Sequence, residues 1–300
     1  MKSLEYLLFF IALIFFLIFL FNFIFITKKL DFIREESKLL FSFEKKSLPP
    51  VLILGKMGTG YIGGENTDSI FAMLFKNNKV YIIHIPRDLI VKIDNDLLKI
   101  NSLYSLKKTD YLLSEISKLT GLNIKKYFVF DLYILKKTID YLGGLEVDLK
   151  YPVTDAVTGY TLMPGKRKFS SSWIEFIVRS RYYPQGDFER MKNQFIILTS
   201  LKERLLNSSE YELLGLFNLI LQSKNHYETN LNHSEIFKIS KQIKKSEFKE
   251  ILIDLNSKLW TSDYFNIKFD FNVSGLMPKA GIGNYEEIRE EIQKKITQEY

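Results

Sequence analysis

VLILGKMGTGYIGGENTDSIFAMLFKNNKVYIIHIPRD, residues Val51–Asp88, decides between two fold classes. Val51–Leu54 is an uninterrupted apolar run of strand length, followed by a glycine-rich loop that holds a formal GxGxxG from Gly58 to Gly63. In a dinucleotide-binding fold that motif opens a long amphipathic helix. Here the chain instead continues as a second strand signal, Ser69–Phe75, turns at Asn77-Asn78, and returns as Val80–Ile85. A strand–loop–hairpin order excludes the nucleotide fingerprint. No Lys-Ser/Thr pair closes the loop, so it is not a P-loop either. What remains is a glycine-rich loop beside a site. Pro86 ends ladder pairing and leaves Arg87 at a strand terminus. His84, inside an apolar run, reads as a satisfied core residue.

Further along, Leu89–Ile93 carries a strand signal and leads to Lys99-Ile-Asn101. Thr109–Leu119 has apolar positions at helical spacing and ends at Gly121. Tyr127–Phe130 is a strand, Asp131 caps a helix to Leu142, and Gly143-Gly144 stops it. Leu145–Leu149 is a further strand. Helices are expected at Ser172–Val178, Glu210–Gln222 and Ser234–Ile243, the last with Asn232 and Glu235 as a capping box. Phe248–Leu255 reads as a strand and Asn284–Ile296 as an amphipathic helix. Strands alternating with helices give an α/β (α+β) class, a mixed central sheet flanked by helices. The expected boundaries are 51–260 for the main domain and 261–300 for an extension with a terminal helix.

The second informative stretch is Val178–Gln194, VRSRYYPQGDFERMKNQ. The chain has 42 lysines and arginines, yet four of its few arginines are Arg87, Arg179, Arg181 and Arg190. A guanidinium stays charged and grips phosphate with a planar fork of donors. A lysine-rich chain that keeps arginine at these places points to an anion clamp, against the plain alternative of solvated surface charge. Arg179 and Arg181 share a face only in extended backbone. Asp187 reads as a helix cap, or as the local partner of Arg190. Arg190 and Gln194 ride one face near that helix's N-terminus, where partial positive charge favours an anion.

The bulk numbers set limits. A formal charge of +7 fits acidic headgroups, nucleic acid or an anionic substrate. There is no cysteine, which excludes disulfides and thiolate metal sites, and the 3 histidines are scattered. Tyr6–Ile26 has no charged side chain and is long enough for a bilayer span, which needs roughly 20 apolar residues. Thr27-Lys28-Lys29 follows directly, without a cleavage site, so the expectation is a cytoplasmic stub and uncleaved anchor (1–30) and a stalk (31–50). Lys28, Lys29 and Arg34 beyond the span, against Lys2 before it, leave orientation undecided by charge. Dispersed lysines without recognition-helix or zinc-finger spacing argue against nucleic acid.

Thr67-Asp-Ser69, Ile85-Pro-Arg-Asp88, Lys99-Ile-Asn101, Leu142-Gly-Gly-Leu-Glu-Val-Asp148, Val178-Arg-Ser-Arg181 and Gly186-Asp-Phe-Glu-Arg190 with Gln194 occur in this order over Val51–Leu206. With the N-terminal anchor, they make the chain similar to the LytR–CpsA–Psr family of cell-envelope glycopolymer transferases. That resemblance implies a single-pass cell-membrane protein with a cytoplasmic N-terminus and an extracytoplasmic domain. It implies transfer of a phosphoglycan from a polyprenyl-pyrophosphate carrier to a peptidoglycan hydroxyl, with Mg²⁺ or Mn²⁺. Arg87, Arg179, Arg181 and Arg190 would clamp the pyrophosphate, Gln194 would assist, and Asp68 would hold the metal or help to activate the acceptor. The lipid implies an apolar tunnel; Phe195–Leu206 is a candidate wall, and core packing explains those residues equally well.

The chain departs from the family pattern at Met57, where an aspartate is usual, and at Asn66, where an arginine is usual. Lys56 could replace the missing cation and Glu65 could reach the metal. The departures motivate a second expectation, a catalytically weakened pyrophosphate-binding or scaffold protein.

Overall fold

The computed structural model describes residues 48–155, 158–181 and 186–298. The expected anchor and stalk lie almost wholly outside them, and no helix among the described residues is long and apolar enough to cross a membrane. In chain order the elements are β1 (Val51–Lys56), β2 (Thr67–Lys76), β3 (Lys79–His84), β4 (Ile90–Ile93), β5 (Asp96–Lys99), α1 (Thr109–Thr120), β6 (Lys126–Asp131) and α2 (Leu132–Tyr141). Then come β7 (Leu145–Leu149), β8 (Val153–Thr154), β9 (Thr161–Leu162), β10 (Gly165–Phe169), α3 (Ser171–Arg179), α4 (Asp187–Leu206) and α5 (Glu210–Gln222). The chain continues with β11 (Tyr227–Thr229), α6 (His233–Lys245), β12 (Glu247–Ile251), β13 (Trp260–Ile267), β14 (Asp270–Pro278) and α7 (Glu286–Thr297).

The main sheet has the order β11-β6-β1-β2-β3-β12. β1 runs parallel to β6 and antiparallel to β2; β3 is antiparallel to β2 and parallel to β12. Four strands therefore point one way, and their carboxyl ends lie at one edge of the molecule. The mixed sheet expected from the sequence is present. Val51–Leu54 are wholly buried, as a central strand covered on both faces must be; that explains its unbroken apolar run. Asn77 and Asn78, at φ 50° and 57°, make the two-residue turn of the β2–β3 hairpin. Asp131 caps α2 by accepting from Ile134 N, and Asn232 and Glu235 form the full capping box on α6.

Two details differ from expectation and a third adds to it. The expected Phe248–Leu255 strand stops at Ile251, whose ladder partner is Ile83; β3 ends one residue later and offers nothing more to pair with. Asp187 is not the cap of α4: Gly186 occupies that position at φ 53°, and no side chain caps the helix. The segment after 260 is more than a terminal helix, because β13 and β14 form a hairpin. Leu276 N donates to Asp88 O at 2.9 Å, tying this hairpin to the loop after β3. α7 packs on α1 through Ile288, Ile292 and Ile296, and Tyr81 OH of β3 donates to Ile296 O.

The glycine loop between β1 and β2 folds on itself. Gly58 N donates to Gly64 O at 2.7 Å and Gly64 N to Tyr61 O at 2.9 Å. A Cβ at Gly64 would stand 2.0 Å from the Gly58 carbonyl oxygen, which is backbone and has no rotamer to escape into. Gly64→Ala is therefore expected to cost about 2 kcal/mol or more, within the range of overpacking substitutions. Urea unfolding measures it, and a loss below about 0.5 kcal/mol would mean that the loop is not closed in this way.

Candidate functional site

At the carboxyl edge of the sheet, where open α/β sheets commonly bind ligands, a cavity of about 820 Å³ is lined by Asp68, Arg87, Arg179, Arg181 and Arg190. The structure thus brings together five of the six site residues that the sequence singled out. Each arrives from a different place: Asp68 from the start of β2, Arg87 from the turn after β3, Arg179 from the last position of α3, and Arg190 from the first turn of α4. Ser180 is extended, at φ −60° and ψ 135°, which lets Arg179 and Arg181 face the same space. Gln194 does not line the cavity. One turn deeper in α4, its Oε1 accepts from Ser69 Oγ at 3.2 Å and its Nε2 donates to Val178 O at 3.4 Å. It braces the wall behind the clamp.

Arg87 and Arg190 form a chain of charge with three aspartates. Arg87 Nη1 donates to Asp68, and its Nε lies 3.5 Å from Asp88 and 3.6 Å from Asp187. Burial alone would lower its pKa, but the three carboxylates outweigh it and hold the guanidinium above its ordinary value. Lys99 anchors Asp88 at 2.7 Å. Arg190 is only 1% exposed. Its Nη2 contacts Asp187 at 2.5 Å and donates to the Asp68 carbonyl at 3.0 Å. Desolvation, with repulsion from Arg87 and Arg181, outweighs the nearby carboxylates and pulls Arg190 down to about 10. Its Nε and Nη1 are buried without a hydrogen-bond partner. Burial and the Arg87 charge also lower Arg181. Arg87 Nε is likewise buried without a hydrogen-bond partner, so three guanidiniums that crowd one another, two of them with unmet donors, form a receptor for a multiply charged anion.

Arg179 is held differently. Its Nη1 donates to Glu175 Oε1 at 2.7 Å, and its guanidinium lies 5.3 Å above the Tyr61 ring. Glu175 also accepts from Lys136 Nζ at 2.6 Å and Tyr61 OH at 3.1 Å. Glu175 therefore ties the glycine loop to α2 and α3. The sequence reading missed it, although it stands four residues before Arg179 on an expected helix, the spacing of an ion pair. Tyr61, Asn101, Asp155 and Phe176 complete much of the lining.

The departures from the family pattern have local explanations. Asn66 lines the cavity and accepts from Ser105 Oγ at 2.7 Å. Lys56 and Glu65 pair with each other at 2.6 Å and are not among the lining residues of this cavity. Among the described residues no three His, Cys, Asp or Glu side chains cluster so as to hold a metal ion. Met57 is among the lining residues. The apolar residues of α4, Ile197, Leu198, Leu201 and Leu205, belong to the continuous core.

Burial would raise the Glu175 carboxyl, but Lys136, Arg179 and Tyr61 prevail and hold it below its ordinary value. A carboxyl depressed in the folded state contributes stability that is complete above its unfolded value, about 4.3, and is lost as pH falls through the folded one. Glu175→Gln should therefore flatten the loss of stability below about pH 4.5. Urea midpoints measured against pH test this; an acid limb identical to that of the unaltered protein would show that Glu175 contributes nothing.

Known proteins share this fold. The regulatory protein MsrR of Staphylococcus aureus (strain COL) is 28% identical over 180 residues, which is 58% of this chain and 54% of MsrR. The probable cell wall biosynthesis protein LcpB of Corynebacterium glutamicum is 26% identical over 142 residues, 46% of this chain and 34% of LcpB. The chain spans about half the length of MsrR. Among solved structures, Bacillus subtilis TagV superposes with a TM-score of 0.60 at 22% identity, covering 84% of this chain and 98% of TagV. TagT bound to LIIa-WTA superposes with a TM-score of 0.63 at 15% identity, covering 83% and 91%. At those identities the likeness is one of fold. The LytR_cpsA_psr family model matches residues 27–270, most of the chain and all of the arginine cavity, and the chain belongs to that family.

Proposed function

We propose that this chain transfers a phosphoglycan from a polyprenyl-diphosphate carrier to a hydroxyl of the cell wall. The observation that carries the reading is Arg190, a buried cation with two unmet donors, at a cavity that Arg87, Arg179 and Arg181 also line. A diphosphate satisfies those donors and relieves the mutual repulsion of the guanidiniums. The names of the relatives, a cell wall biosynthesis protein and a fold neighbour solved with LIIa-WTA, support the same direction.

In this reading the acceptor oxygen forms a bond to the glycan-linked phosphorus as the bond from that phosphorus to the bridging oxygen breaks. Polyprenyl monophosphate leaves and the hydroxyl proton passes to a base, for which Asp68 is the candidate lining the cavity next to Arg87. The protein's part is positioning and the neutralisation of developing charge. Arg190 and Arg87 are fixed by their aspartates before substrate arrives, so they need little reorganisation. Arg179 and Arg181, at the exposed rim, close on the leaving phosphate. Mg²⁺ or Mn²⁺ fits here through Asp68 and substrate phosphate oxygens, since Mg²⁺ is commonly held by one or two carboxylates plus phosphates and water. Bound there, the ion would offset phosphate charge.

The anchor Tyr6–Ile26 would hold the domain at the cell membrane as a single-pass protein, with the N-terminus cytoplasmic and the domain outside, facing lipid-linked donor and peptidoglycan. One feature favours a second reading, a binder without turnover: Met57 supplies no carboxylate, and Asp68 is engaged by Arg87.

Full-length protein in detergent, given a polyprenyl-diphosphate-linked glycan, separates the two. Transfer with release of polyprenyl phosphate is expected. Arg179→Ala and Arg181→Ala should each lower kcat/KM by about 10²-fold, the scale of losing one charge-stabilising donor. Tight binding with no turnover would establish the second reading, and absence of binding would overturn both.

A further inference from the structure

A second cavity, of about 270 Å³, adjoins the first and shares Met57 and Tyr61 with it as a partition. Its chemistry is different. The arginine cavity presents Arg87, Arg179, Arg181 and Arg190 against Asp68 and Asp155 in its lining, while the carboxylates Asp88, Asp187 and Glu175 that pair with those arginines are outside the lining. The second is lined by Lys136 and Lys137 against Asp131 and Asp140, which balance, together with Thr59, Tyr133 and His226. The lining of the first suits a diphosphate, and that of the second, with two lysines and two aspartates, suits an uncharged, hydrogen-bonding molecule. The volume equals about nine waters at ~30 Å³ each, room for a sugar ring.

The lining is built to orient hydroxyls. His226 Nδ1 lies 2.6 Å from Asp131 Oδ2. Asp131 is buried and its other oxygen accepts from Ile134 N at the start of α2. In the neutral ring a carboxylate in that position favours the proton on Nδ1, which leaves Nε2 to accept from a hydroxyl. The ring is stacked on Tyr133, with centroids 4.0 Å apart, which fixes its plane. The glycine loop abuts this dyad, since a Cβ at Gly58 would stand 2.9 Å from Asp131 Cβ. Lys136 and Tyr61 are both held by Glu175, the side chain that also holds Arg179.

We infer that this second cavity is the acceptor subsite: it holds a neutral sugar unit whose hydroxyl, oriented by His226, approaches the phosphorus past Met57 and Tyr61. The assignment rests on the transfer reading above. In-line displacement needs the attacking oxygen opposite the leaving oxygen, and a cavity across a two-side-chain partition from the arginines provides such an approach. The imidazole is a positioning group here; Asp68 keeps the role given to it.

Ligand-observed NMR on the full-length protein in detergent tests this with two probes, the neutral disaccharide di-N-acetylchitobiose and inorganic pyrophosphate. Both are expected to bind together. His226→Gln and Tyr133→Ala should each weaken the disaccharide at least tenfold and leave pyrophosphate affinity within twofold. Tyr133 is half-exposed on α2, so its truncation keeps the test open if His226→Gln fails to fold. With donor present, His226→Gln should lose transfer to the disaccharide while still releasing polyprenyl phosphate to water. Disaccharide affinity unchanged in both variants, its displacement by pyrophosphate or by the glycan of the donor, or its failure to bind at all would each overturn the subsite. Failure of pyrophosphate to bind, with the disaccharide still bound, would instead overturn the proposed function.

Discussion

Two buried guanidiniums and three partly buried carboxylates at the carboxyl edge of the sheet constrain everything around them. Arg87 and Arg190 are both buried and both touch Asp187, while Asp68 and Asp88 close the chain at the Arg87 end. Buried charge of this kind stabilises only when every member is paired; removing one partner commonly costs 3–5 kcal/mol because its counter-charge is stranded. The network leaves Arg190 Nε and Nη1 unmet. Such a deficit persists when something else contributes to holding the structure, and here it is the packing of α4 against α3 and β7. The fold fixes Arg190 where it is least comfortable, and that discomfort is what an anion would relieve.

Glu175 extends the same logic outward. It binds a lysine of α2, an arginine of α3 and a tyrosine of the glycine loop at once. The loop is therefore not free to move independently of the helices that carry the clamp. Opening Tyr61 requires breaking a contact that also restrains Arg179, so the two cavities and the rim of the clamp are mechanically linked through one carboxylate.

Much of this was legible in the sequence, for physical reasons. Val51–Leu54 announced a doubly covered strand by its unbroken apolar run, and Asn77-Asn78 announced a hairpin because two successive residues must take positive φ. The arginines stood out because this chain otherwise prefers lysine. Gln194 misled because helical spacing assigns a face but not a depth: four residues past Arg190 the face meets β2 and α3 instead of the cavity. The β13–β14 hairpin was invisible because Ser262, Asp263 and Tyr264 are exposed in succession, so no buried alternation marks it. The His226–Asp131 dyad joins residues 95 positions apart, and no spacing rule reaches across that interval.

The direction of β1 carries a last implication. The chain enters this strand at Val51 and leaves it at Lys56, and the glycine loop begins only there. Five steps along the strand at ~3.3 Å each put about 17 Å between the two points. Any leash attached ahead of Leu48 therefore pulls on the pole of the domain facing away from the arginines. If the tether and the lipid-linked donor proposed above share one bilayer, the donor has to run through or around the body of the protein to present its head, and its reach would then be a selection criterion separate from its charge.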